Sequence, residues 1–123
     1  MTRAIRAAVA ALAAAVLLSM VAGAQDTTTP AGAGFRAETE PDVLGRRGRA
    51  IVGWLYNDGN SAVTNVRLRV EVLDGGGQTV ASGEAYVYGN VPAQGRAYFF
   101  VPVPSYGDRY RVTVLRYDRL EMQ

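Results

Sequence analysis

The clearest pattern in the chain is the alternation over residues 64–73. Val66, Leu68, Val70 and Val72 fall on one face, and Arg67, Arg69 and Glu71 fall on the other. A period of two predicts a strand with one face against a core and the other in water. Asp74-Gly75-Gly76-Gly77 follows, residues that tolerate positive φ, and 78–88 resumes in extended fashion, which predicts a hairpin. Upstream, 49–57 reads as a strand ended by Asn57-Asp58-Gly59-Asn60-Ser61. Downstream, 92–95 is a turn, 96–103 a strand and 104–108 another turn. Residues 109–118, with the alternation Tyr110-Arg111-Val112-Thr113-Val114, form the last strand, and 35–40 a weaker first one. No segment holds a 3.6-residue period over three turns. Six strands joined by short turns predict an all-β domain, a small antiparallel β-sandwich in preference to a small barrel.

The start of the chain follows a different pattern. Arg3 and Arg6 precede an unbroken apolar stretch over 7–20, and Val21-Ala22-Gly23-Ala24 offers small residues at a cleavage site. This order predicts a signal peptide over 1–24, cut between Ala24 and Gln25, and therefore export to the periplasm or the medium. The alternative is an uncleaved anchor, because the apolar stretch approaches the roughly 17–20 residues that span a bilayer. A membrane association is expected only through that segment, if it is retained. Residues 25–34 (QDTTTPAGAG) read as a flexible spacer, 35–119 as the sandwich and 120–123 as a tail.

Removing the leader changes the charge. Two of the 13 basic residues go with it, which leaves 11 against 11 acidic ones, so the mature chain is neutral. Nucleic acid is not expected as a partner, since binding it requires clustered positive charge. No cysteine is present, so burial alone must hold the exported domain together.

The spacing Ile51-x-Gly53-x-Leu55-x-Asn57, then Val66-x-Leu68-x-Val70-x-Val72-Leu73-Asp74 with its glycine turn, is followed by Pro92-x-x-Gly95 before Ala97-x-Phe99-x-Val101. With Tyr110-x-Val112-x-Val114, this series resembles the bacterial FxLYD-type immunoglobulin-like domain over about 49–118. The namesake motif falls on Val70-Glu71-Val72-Leu73-Asp74, where Val70 and Leu73 stand in place of aromatics. The resemblance implies an immunoglobulin-like sandwich in exported or envelope proteins, without an assigned activity. Such a sandwich ordinarily has at least seven strands. The last strand is therefore expected either as an open edge, guarded by Arg109, Arg111 and Arg116, or as paired in trans.

Chemistry is sparse. With no histidine, cysteine or lysine, Ser61, Ser82 and Ser105 have no conventional base, and zinc and haem lack their usual ligands. The glycine run after Asp74 precedes a strand rather than a helix and so is not a phosphate loop. Glu38 and Glu40 lie about 6.6–7 Å apart on one strand face, a separation that glycosidases use, but the reading preferred is a solvated edge. Asn57-Asp58-Gly59-Asn60 has too few oxygens for a dedicated calcium loop and reads as a turn. No enzyme activity and no cofactor is expected.

The aromatics carry the functional expectation. If Ile51, Gly53 and Leu55 point inward, Trp54 and Tyr56 point outward; inward Phe99 and Val101 likewise leave Tyr98 and Phe100 outside. In an immunoglobulin-like sandwich those strands are neighbours. Trp54, Tyr56, Tyr98 and Phe100 would then form an outer patch of the kind that marks a contact site. The alternatives are that a segment such as 35–44 folds over them, or that a bulge turns some inward. The leading expectation is an exported, non-catalytic module that binds a protein partner or its own copy. The second is a carbohydrate- or polymer-binding module that uses the aromatics as a stacking platform. A row of co-planar rings would favour a polysaccharide, and a compact patch a protein.

Overall fold

A computed structural model describes residues 28–43 and 45–120. The expected leader over 1–24 and residues 121–123 of the tail lie outside the described residues. Among the described residues, seven strands form two antiparallel sheets: β1 (Thr29–Gly32), β2 (Phe35–Pro41), β3 (Ala50–Asn57), β4 (Val63–Leu73), β5 (Thr79–Tyr86), β6 (Gly95–Pro102) and β7 (Arg109–Arg119). The four-stranded sheet has the order β1-β2-β3-β6, and the three-stranded sheet β5-β4-β7. The described residues form a small all-β sandwich.

The alternation in β4 sets the core. Val66, Leu68, Val70 and Val72 have no exposed surface and meet Ile51, Leu55, Phe99 and Val101 of the opposite sheet in one apolar cluster. Tyr110 and Val114 of β7 pack against this cluster, with Val112 buried between them. Expelling these side chains from water, at about 25 cal/mol per Å² of apolar area, is what a domain without disulfides has to rely on. A bulge extends the strand beyond the simple period. Asn65 adopts φ 51°, a left-handed conformation that asparagine tolerates. The register with β7 shifts across it, between Thr64 and Arg67, and again between Arg67 and Leu68, and Val63 as well as Val66 faces the core.

The strand count differs from the expected six. β1 arises inside the stretch read as a spacer over 25–34, where Thr29 pairs with Ala37 and Pro30 with Arg36. Its sequence, TPAG, has neither β-branched runs nor alternation, and Ala31 is its one buried side chain. Pairing with β2 holds it, not local propensity. Because β1 covers only Phe35 to Ala37, the Glu38–Pro41 half of β2 keeps an edge without a strand neighbour among the described residues. In the smaller sheet β7 pairs with β4 and, among the described residues, with no other strand; the expectation of a missing strand rests on six strands, and the structure has seven among the described residues.

Two connections flank β5, and the second brings Tyr88 to the larger sheet. At the β4–β5 hairpin the Asp74 carboxylate accepts the amides of Gly76 and Gln78, and Gly77 takes φ 82°. After β5 the chain crosses between sheets: the Val87 amide donates to the Val66 carbonyl of β4, and the next amide, Tyr88, donates to Tyr98 of β6.

Candidate functional site

Three strands of the larger sheet build its outer face in a strict register. Arg36, Tyr56 and Arg96 form one row across β2, β3 and β6; Glu38, Trp54 and Tyr98 form the next; Glu40, Val52 and Phe100 the third. The structure thus brings Trp54, Tyr56, Tyr98 and Phe100 onto one surface, on neighbouring strands. All four are half-buried, neither core nor fully exposed.

Arginines account for much of that covering. The Arg36 guanidinium lies 4.8 Å from the centre of the Tyr56 ring, Arg96 lies 4.1 Å from Trp54, and Arg47 lies 3.9 Å from Phe100. At exposed sites a guanidinium over a ring contributes about 0.5–1 kcal/mol. The remaining ring, Tyr98, meets Trp54 edge-on at 5.8 Å and 76°, and stacks on Tyr88 at 6.0 Å and 3°. The patch is therefore a mesh of rings and guanidiniums rather than a bare apolar surface.

Each arginine is placed by the fold. Arg36 is held by Asp58, whose two carboxylate oxygens accept Nε at 2.7 Å and Nη2 at 3.0 Å. That pair lowers the Asp58 carboxyl below its ordinary value, through the hydrogen bond from Arg36 first and its charge after. Arg47 sits in the β2–β3 loop, which the Tyr106 hydroxyl pins by donating to the Asp42 carbonyl and accepting the Ala50 amide. Arg96 also donates to the Tyr56 hydroxyl, and that hydroxyl donates to Glu38. Arg47 and Arg96 make no ion pair among the described residues.

The outer face of the smaller sheet is of another kind. Arg67 and Arg69 share Glu84, and Arg111 approaches Glu71 at 3.6 Å. The hydrogen bond from Arg67 keeps the Glu84 carboxyl below its ordinary value, and the bond from Arg116 to the Tyr86 hydroxyl lowers that phenol. Here charge is compensated strand against strand, and the ring that Arg67 and Arg116 engage is Tyr86.

The other candidate groupings resolve into structural roles. Glu38 is engaged by Tyr56, and Glu40 is exposed at the edge of β2. In the Asn57–Ser61 turn, the Asn57 side chain donates to the carbonyls of Ser61 and Val91 and accepts the Gly59 amide. Asp58 is committed to Arg36. Sequence reasoning found the four rings but missed Arg36, Arg47, Arg96 and Tyr88. A signal existed for Arg36 and Arg96, which share strand parity with the outward positions; Arg47 lies in a loop and has no parity to read, and Tyr88, inside the stretch 78–88 expected to be extended, falls past the end of β5 at Tyr86, where the chain changes sheets. Compared with known proteins, the chain matches no family model, no curated protein and no solved structure.

Proposed function

We propose that this chain is an exported, non-catalytic, immunoglobulin-like interaction module of the cell envelope, and that it contacts a protein through the outer face of β2, β3 and β6. The observation that carries this reading is the ring–guanidinium mesh of Trp54, Tyr56, Tyr98 and Phe100 with Arg36, Arg47 and Arg96. Tryptophan, tyrosine and arginine are the residues that dominate binding energy at protein interfaces. The same observation disfavours the carbohydrate reading. A stacking platform needs exposed, co-planar ring faces, whereas here guanidiniums lie over three rings, Trp54 and Tyr98 are nearly perpendicular, and Tyr98 already stacks on Tyr88. The two sheets of four and three strands support the immunoglobulin-like class by strand number, and the leader-like pattern over 1–24 supports export.

The test is a paired substitution. Trp54→Ala with Phe100→Ala removes two rings from outward positions, and the core residues Leu68, Val70 and Phe99 keep their neighbours across the sandwich. The variant is expected to melt as one cooperative transition, lowered but still well above ambient temperature, and to lose the partner that cross-links to the wild-type chain in its native compartment. Unchanged cross-linking by the folded variant contradicts the assignment of this face.

A further inference from the structure

We infer that the occupant of this face is a second copy of the same chain, packed sheet against sheet about a two-fold axis that runs along β3. The inference rests on the reading of the face as a protein contact and adds the partner's identity. Its basis is the distribution of charge across the three strands. On the β2 flank stand Glu38 and Glu40, neither in an ion pair among the described residues. On the β6 flank stand Arg96 and, over Phe100, Arg47, likewise without a carboxylate partner. Between them runs β3 with Trp54 at its middle.

A surface with an acidic flank, an aromatic centre and a basic flank is its own complement. An isologous contact places each residue against the patch that its mate occupies. Rotation about an axis along β3 lays the β2 strand of one copy over the β6 strand of the other. Glu40 then comes over Phe100, within the reach of Arg47, and Glu38 over Tyr98, beside Arg96. The two tryptophans meet near the axis. Arg36, which the same rotation brings toward Arg96, carries Asp58 with it as a bidentate pair. Each ion pair occurs twice, and like charges do not face each other unaccompanied. The β7 edge offers no comparable self-contact. Arg109, Arg111, Arg116 and Arg119 line that strand, and charges at an edge oppose strand addition.

The experiment is a dilution series in light scattering on the full chain expressed with its own leader. It compares wild type, Glu40→Arg, Arg47→Glu and the two together. Both positions are exposed, so circular dichroism should report an unchanged fold. The wild type is expected to dimerise, and each single reversal to raise the dissociation constant at least ~10-fold, since like charges meet across the interface. The double reversal is expected to restore the wild-type value, because every pair is then re-formed with its signs exchanged. Raising the salt concentration should weaken the wild-type dimer, an arm that needs no substitution. A wild type that is monomeric at every concentration, or a dimer indifferent to all three variants and to salt, overturns the inference. The monomeric outcome leaves the broader contact reading to the cross-linking test, so the two can fail separately.

Discussion

Leu68→Asp is expected to leave the chain unfolded, whereas Arg67→Asp leaves it folded. These neighbours occupy opposite faces of one strand. Leu68 has no exposed surface and sits in the cluster formed by both sheets. A carboxylate there would be buried among Val70, Phe99 and Val101 without a partner, and single changes of this type belong to the few that cost more than about 4 kcal/mol. Small domains have about 5–15 kcal/mol in total, and this one has no disulfide to hold the remainder. Arg67 instead points outward, where it bonds Glu84 at 3.1 Å and lies over the Tyr86 ring. Reversing its sign sets it against Glu84 in water, which costs a modest fall in melting temperature and no loss of cooperativity. Thermal melts followed by far-ultraviolet circular dichroism separate the two. Equal melting temperatures would mean that the β4 register is wrong.

Gly53→Ala is expected to be the most damaging of the small substitutions, although it adds a single methyl group. Gly53 lies in the middle of β3, paired with Thr39 on one side and Phe99 on the other. A Cβ at this position would fall well inside contact distance of the Glu38 carbonyl, and would also meet the Phe99 ring at 3.2 Å. The obstacle is backbone, so relief requires β2 and β3 to separate rather than a side chain to turn. Overpacking ordinarily costs about 1–3 kcal/mol; a clash with the sheet itself belongs at the top of that range. For a domain of this size the melting temperature should fall by more than ~10 °C. Separation of β2 from β3 would also break the bond from Tyr56 to Glu38 and disturb the outer face. Gly75→Ala is the control, since a Cβ there meets nothing nearer than the Asp108 carboxylate at 3.3 Å, in an exposed turn. If both variants melt close to the wild type, the tight approach of β2 to β3 is not a feature of the folded protein.

The sequence revealed most where one physical rule acted alone. Alternation identified β4 and its buried face, because a half-buried strand has to alternate. The same parity argument placed Trp54, Tyr56, Tyr98 and Phe100 outside, and the register of β3 with β6 bears out their adjacency. The rule failed where another acted with it. Thr29–Gly32, with its proline and glycine, has the composition of a spacer, and only the edge of β2 makes it a strand. The bulge at Asn65 was equally hidden, since one left-handed residue changes the parity of Val63 without changing composition. The ring coverings were illegible for a third reason. Arg47 reaches Phe100 because Tyr106, 59 positions further along, pins its loop, and Tyr88 reaches Tyr98 because the chain changes sheets there. Parity places a residue on a face; it does not say what arrives from elsewhere to cover it.

The chain has a single tryptophan, and it stands at the centre of the face assigned as the contact surface. Acrylamide quenching of its fluorescence across a concentration series therefore reads that surface and no other. In dilute solution Trp54, half-buried beneath Arg96 and beside Tyr98, should be quenched to an intermediate degree. As the chain is concentrated through its association range, quenching should fall and emission shift to the blue, while Arg47→Glu, at the same concentrations, stays at the dilute value. Quenching that does not change while light scattering reports association would contradict the account, because the chain would then assemble through some other surface.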